Sequence, residues 1–324
     1  MIHKSELEPL SYDDIILLPN YSEIDSRDKV NLYLKDKTYM PIFSAPMKNI
    51  SEPNFIIELD KLGGVGILHR FFEKDEDRYN AVDQISCCKN FGVSIGINDW
   101  KNELRFVEYS IRKGCSFICI DTAYGNNENT IDAVEKLSEF RKNFVGFYII
   151  AGNVIDDLGC LGLIEAGANI IRVNIGSGLQ CLTTRSIGIG CPTLTAIKSC
   201  SNIKQKYPNV MLLADGGIYN SGQMLKLMAF GGNGSMIGSL FGRAKECENK
   251  GLIFGMSSFM LQERMNKTKK SNEGTVTIIP KEEIRPLKEI FDEFTYGLKS
   301  GLSYLGCDDI NNIHDIDIEY IKIR

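Results

Sequence analysis

NIIRVNIGSGLQCLTTRSIGIGCP, residues 169–192, reads as one buried strand that runs into a glycine-rich loop carrying a cysteine. Residues 169–173 form a short, largely β-branched run, suited to a strand covered on both faces. Gly176 and Gly178 then let the backbone turn sharply and present its amides and carbonyls. Cys181 follows, with Thr183, Thr184 and Arg185 behind it. A cysteine beside hydroxyls and a cation, on a loop after a strand, has the surroundings of a lowered-pKa nucleophile. A glycine-rich turn around a buried thiol has the same composition, so the loop alone leaves both readings open.

Working outward, runs of the same kind recur at residues 40–45, 64–68, 92–97, 117–121, 147–151, 210–214 and 234–237. Most are followed by an amphipathic stretch, such as 129–140 (NTIDAVEKLSEF) and 222–228. With 169–173 these runs predict a closed parallel (β/α)8 TIM barrel, a single α/β domain over residues 1–324. A doubly wound open sheet is the competitor; it would place a GxGxxG fingerprint near its first strand, and none stands there. Polar and glycine-rich groups follow the strands: Pro46 and Met47, His69 and Arg70, residues 121–125, Gly152 and Asn153, residues 176–183, residues 215–217, and Gly238 and Ser239. In a barrel the C-terminal strand ends share one face, so these groups converge on one mouth.

Composition narrows the partners. The 324 residues are 43% hydrophobic and 24% charged with a net charge of −5, and no basic block points to nucleic acid or a membrane surface. No apolar run reaches transmembrane length, and the opening MIHKSELEPL does not read as a signal peptide. Ten cysteines without such a signal suggest free thiols in a reducing cytoplasm. With three histidines and no CxxC pair, a zinc site is not expected. Cys115 and Cys119 read as core packing, and so does Trp100. His69, beside Arg70 at a strand end, reads as a cofactor or loop contact.

Two strand-end groups suit an anion. Glycines at Gly216, Gly217 and Gly238 let backbone N–H groups approach a phosphate, and Ser239 adds a donor. Asp215 is an acceptor for a ribose diol; capping the next helix is its alternative role.

The chain resembles the family of IMP dehydrogenases and GMP reductases. The resemblance rests on LSYDDIILLPNY (10–21), IFSAPMKNI (42–50), residues 63–70, DTAYG (121–125), AGNV (151–154), the Cys181 loop, ADGGI (214–218), residues 236–240, FGMSS (254–258) and LKSGLSYLG (298–306), in the family's order. It implies a (β/α)8 barrel with a catalytic loop near 174–192 and a flap near 259–280. It further implies a purine 5′-monophosphate in the mouth and attack of Cys181 on C2 of its base, with Thr183 and Glu273 as further catalytic residues. Asp215 matches the ribose aspartate, and Gly217, Gly238 and Ser239 match phosphate contacts. The backbone of Gly255, Met256 and Ser257 matches the segment reading the base, and Lys270 falls where reductases place an arginine near the nucleotide. Arg70, Asp121, Thr122 and Ala123 match the nicotinamide cofactor's side. For some members the resemblance implies a monovalent cation (K+) on the carbonyls of Gly176, Gly178 and Cys181, and a homotetramer.

Within the family, dehydrogenases use a long flap with an Arg-Tyr pair to hydrolyse the covalent intermediate. Here residues 259–272 alone separate FGMSS from Glu273-Gly274, Arg264 is followed by Met265, and the strand–helix rhythm leaves no gap for a regulatory insertion. The resemblance therefore points to a GMP reductase using NADPH, with an IMP dehydrogenase, a divergent purine-nucleotide reductase, or a nucleotide-binding protein without turnover as alternatives. Lys48-Asn49, Arg70, Leu179 and Thr275 depart from the family pattern.

Overall fold

The computed structural model describes residues 8–144, 146–176, 183–248, 251–255 and 274–323. The chain enters through β1 (Ile15–Leu17) and then alternates: β2 (Ile42–Ser44), α1 (Pro53–Lys61), β3 (Gly66–Leu68), α2 (Asp75–Ile85), β4 (Phe91–Ile95), α3 (Trp100–Arg112), β5 (Phe117–Ile120), α4 (Glu128–Arg141), β6 (Tyr148–Val154), α5 (Asp157–Glu165), β7 (Ile170–Val173), α6 (Thr183–Ile187), α7 (Thr193–Ser201), β8 (Met211–Asp215), α8 (Ser221–Ala229) and β9 (Gly234–Ile237). An antiparallel ribbon follows, β10 (Leu252–Phe254) with β11 (Val276–Ile278). Helix α9 (Leu287–Tyr304) and β12 (Tyr320–Lys322) complete the described chain, and β12 pairs with β1.

Strands β2 to β9 form one parallel sheet in the order β2-β9-β8-β7-β6-β5-β4-β3. Phe43 bridges Val65, and the Ser44 amide donates to the Val65 carbonyl at 2.9 Å, so the two ends of the sheet meet. This is the (β/α)8 barrel that the rhythm predicts, and all eight expected strands are present. The helices start where short polar side chains can cap them: Asn127 accepts from Thr130 N at 3.0 Å, Asp156 from Gly159 N at 2.8 Å, and Asn220 from Gln223 N at 3.0 Å.

Two local expectations change. Residues 152–153, expected just past the sixth strand, lie inside β6, which runs on to Val154 with a register shift against β7. An irregularity of this kind bends a strand and re-aims its side chains. Thr183 opens α6, a five-residue helix that has no apolar periodicity to announce it.

Side-chain alternation divides the core. Outward residues such as Ile171, Val173, Leu212 and Ala214 pack under the helices, while Phe43, Ile67, Phe117, Cys119, Ile150, Ile170, Leu213 and Met236 fill the barrel. At its N-terminal end Tyr39 meets Phe43 and Phe117 edge-on, with centroids 6.1 and 5.4 Å away. Apolar filling therefore occupies the bottom and middle of the barrel and leaves the polar chemistry to the other end.

Candidate active site

The same alternation builds the mouth. On β5 the inward residues are Phe117 and Cys119, and the next in phase is Asp121. On β7 they are Ile170 and then Arg172; on β8, Leu213 and then Asp215. Each inward face thus changes from apolar to charged as it climbs toward the C-terminal end, and the closed sheet brings the three charges together.

Arg172 is their centre. Its Nη2 and Nε donate to Asp215 Oδ2 at 2.7 and 3.0 Å, and its Nη1 reaches Asp121 Oδ1 at 3.4 Å. Asp121 is held from its other side by Arg70, whose Nε donates to Oδ2 at 3.1 Å. Asn153 Nδ2 donates to Asp215 Oδ2 and to the Asn174 carbonyl, both at 2.8 Å. Gly152 makes room for this arrangement: a Cβ there would run into the Arg172 carbonyl oxygen and lie 2.7 Å from the Arg172 Cβ. Burial works against the charge of Arg172, which is only 8% exposed, yet Asp215, Cys119 and Asp121 together hold its pKa above the ordinary value. Cys119 Sγ lies 3.7 Å from Arg172 Nη1, but burial pushes this thiol up to about 12 despite the guanidinium. Cys119 is therefore protonated at neutral pH and is no competitor for the role of nucleophile.

The rim is tied down by its backbone. Thr122 Oγ1 donates to the Gly152 carbonyl at 2.7 Å, and Gly125 N donates to the Asn153 carbonyl at 2.8 Å, which leaves Ala123 exposed. Gly216 and Gly217 follow β8 with φ of +86° and +77°, values that favour glycine at the turn expected to meet a phosphate. Gly238, two residues past the β8-paired Met236, has Met47 Sδ 2.8 Å from where a Cβ would stand. Ser239 beside it is half-buried. Asn220, not Asp215, caps α8, so the alternative reading of Asp215 as a helix cap does not hold. Gly255 N donates to the Thr275 carbonyl at 2.9 Å at the open end of the β10–β11 ribbon.

The base of the cysteine loop is also in view. Cys191 N reaches the Ile175 carbonyl at 3.4 Å, and Gly176 and Gly190 both close on the Thr184 hydroxyl, which takes the space a side chain would need. Gly178, Cys181, Met256, Ser257, Lys270 and Glu273 lie outside the described residues, as does the side chain of Thr183. Among the described residues no cluster of three or more His, Cys, Asp or Glu could hold a metal ion, and no helix is long and apolar enough to cross a membrane.

The sequence reading missed Arg172, Asn153 as a partner of Asp215, and Glu52. One signal was present: a single cation inside the aliphatic run IIRV, in phase with the barrel interior. His69, read as a cofactor or loop contact, makes loop contacts. It is 1% exposed and stacks on Phe72 at 4.4 Å. Its Nδ1 accepts from Phe71 N at 3.0 Å, which assigns the proton to Nε2, 2.9 Å from Glu52 Oε1. Burial acts to raise the Glu52 pKa, but His69 and the Asn49 amide outweigh it and the value ends below the ordinary 4.5. A depressed carboxylate adds stability that is present above its unfolded pKa and lost as pH falls through the folded one. Glu52→Gln is therefore expected to cost stability at neutral pH, with a deficit that shrinks as the medium is acidified below about pH 4. Denaturant midpoints of both proteins across this range check it; a deficit independent of pH would show that the carboxylate charge is not what stabilises.

The family model for the IMP dehydrogenase / GMP reductase domain matches residues 9–324. The chain belongs to this family. Its members are oxidoreductases that act on purine nucleotides, using NAD(P)H. The chain is 26% identical to the inosine-5′-monophosphate dehydrogenase of Borreliella burgdorferi over 398 aligned positions, covering all of this chain and 96% of the relative. It is 28% identical to the GMP reductase of Ligilactobacillus salivarius over 327 positions, covering 96% of each. Against the inosine-5′-monophosphate dehydrogenase of Halalkalibacterium halodurans it is 33% identical over 248 positions, 72% of this chain and 50% of the relative. Identities this similar do not separate the two activities of the family.

Proposed function

We propose that this chain is a GMP reductase, converting GMP and NADPH to IMP, ammonia and NADP+. One observation carries the choice of branch. Gly255 N donates to the Thr275 carbonyl just past the paired residues of β10 and β11, so the connection between these two strands is limited to residues 256–274. That stretch holds no Arg-Tyr pair, the element with which dehydrogenases of this family activate water. Alignment lengths support this reading: that with the reductase of Ligilactobacillus salivarius spans 327 positions, close to the 324 residues of this chain, whereas that with the dehydrogenase of Borreliella burgdorferi spans 398.

In this reading the Cys181 thiolate attacks C2 of the purine, and the bond from C2 to the exocyclic nitrogen breaks, with Thr183 and Glu273 delivering the proton that lets it leave as ammonia. The nicotinamide, when bound, supplies the hydride that C2 takes up as its bond to sulfur breaks. Asp215 accepts from the ribose hydroxyls; Gly217, Gly238 and Ser239 meet the phosphate, with Lys270 near the nucleotide; Gly255, Met256 and Ser257 meet the base. Arg70, Asp121, Thr122 and Ala123 hold the cofactor. The mouth fits donors from such ligands in one further respect: Asn153 Oδ1 is a buried acceptor with no hydrogen-bond partner among the described residues. The same reading takes residues 1–324 as one catalytic domain and carries a cytoplasmic homotetramer. It also carries a K+ ion on the carbonyls of Gly176, Gly178 and Cys181.

The test is a turnover assay. NADPH absorbance should fall only when GMP is present, with IMP and ammonia formed in equal amounts. Sustained formation of XMP from IMP and NAD, with no GMP-dependent loss of NADPH, would assign the chain to the dehydrogenases instead.

A further inference from the structure

Two carboxylates at the mouth belong, in the reading above, to different ligands: Asp215 to the purine nucleotide and Asp121 to the cofactor. They share one buried guanidinium. Arg172 is 8% exposed, and it touches Asp215 through Nε and Nη2 and Asp121 through Nη1. The sharing is uneven. The contacts to Asp215 are 2.7 and 3.0 Å, whereas the contact to Asp121 is 3.4 Å, so the guanidinium leans toward the nucleotide's carboxylate. Asp121 is completed by Arg70, which binds both its side chain at 3.1 Å and its backbone carbonyl at 3.3 Å.

We propose that Arg172 couples the two sites, so that binding of a purine nucleotide to Asp215 strengthens binding of the dinucleotide cofactor at Asp121. This inference rests on the functional reading above. Ribose hydroxyls that donate to Asp215 draw on the same carboxylate electrons that hold Arg172. The guanidinium then gives up part of its hold on Asp215 and tightens on Asp121, ordering that carboxylate together with Arg70, so that the cofactor meets an acceptor already in place on its remaining lone pairs. Apolar barrel filling lies below Arg172, and Asn153 donates to the same Asp215 oxygen that Arg172 holds. Arg172 acts here as a positioning residue, since its partners and not the ligands receive its hydrogen bonds. Linkage makes the effect reciprocal: the cofactor tightens the nucleotide by the same factor.

Calorimetric titrations of the full-length protein measure this. GMP is paired with NADP+, which cannot reduce it, so that equilibrium binding is read without turnover. In the native protein, saturating NADP+ is expected to lower the GMP dissociation constant by about fivefold or more, the lower range of measured couplings. Arg172→Lys keeps the charge but cannot span both carboxylates, and is expected to bring that factor close to one. GMP alone and NADP+ alone should each still bind Arg172→Lys, because Asp215 and Asp121 remain, whereas a merely structural role for Arg172 predicts weaker binding of both with the factor kept. Independent binding of GMP and NADP+ to the native protein would overturn the proposal, as would an undiminished factor in Arg172→Lys. Failure of the native protein to bind any of GMP, IMP or XMP would instead overturn the functional reading, and the coupling with it.

Discussion

Replacing Cys181 with alanine is expected to lower turnover by a factor on the order of 10⁴ or more, with nucleotide affinity changed by less than about tenfold. The reason is chemical. A thiol is both a good nucleophile toward C2 of a purine and a good leaving group from it, and an alanine has neither property. The binding contacts expected for the nucleotide lie elsewhere, at Asp215 and in the glycine turns after β8 and β9. Cys119, the described cysteine beside Arg172, is not placed to substitute, because burial holds it protonated. The measurement is NADPH oxidation with GMP, with GMP binding followed separately. Residual turnover within tenfold of the native protein would remove Cys181 from the reaction.

Asp215→Asn should be costly in two separable ways. First, it takes from Arg172 the stronger of its two anionic partners. Breaking a buried pair commonly costs roughly 3–5 kcal/mol; the lower end is expected here, because Asp121 retains one contact with the guanidinium. The loss should appear as a lowered denaturant midpoint in the absence of any nucleotide. Second, the ribose loses a charged acceptor, worth about 1.5–3 kcal/mol or roughly 10- to 100-fold in affinity. A 2′,3′-dideoxy nucleotide separates the two effects. It should bind the native protein poorly, and it should lose little more when Asp215 is replaced. Equal affinity of the native protein for the ribose and dideoxy forms would refute the role of Asp215 in binding, whatever its role in stability.

Asp121, Arg172 and Asp215 show where reading a chain residue by residue stops. Two of the three were visible as polar groups at strand ends, because an acid that closes an aliphatic run is unusual enough to stand out. Arg172 was not, since a lone arginine within IIRV is read as part of its strand. Its meaning depends on which way it points, and that is set by the phase of β7 relative to β5 and β8. His69 had two readings, a cofactor or a loop contact, and only the structure chose between them. The ring is buried against Phe72 and turned toward Glu52, which comes from the loop before α1. A strand-end residue can face the mouth or the helices, and local sequence does not say which.

What the sequence by itself determined is the architecture and the family. Eight aliphatic runs separated by amphipathic stretches call for parallel strands covered on both faces, and the missing GxGxxG near the first of them favours a closed barrel over a doubly wound sheet. The order of the motifs along the chain carried the rest. Tertiary structure alone decided the electrostatics of the mouth. Residues 121, 172 and 215 meet because the closed sheet gathers the inward faces of β5, β7 and β8 at one end, where Arg172, paired with Leu213, reaches two residues on to Asp215. β6 runs on past Gly152 because its ladder is completed by β7, not by anything in its own residues. Side-chain chemistry is a property of single positions, but pKa, pairing and coupling depend on distances between strands, and closure of the barrel is what sets those distances.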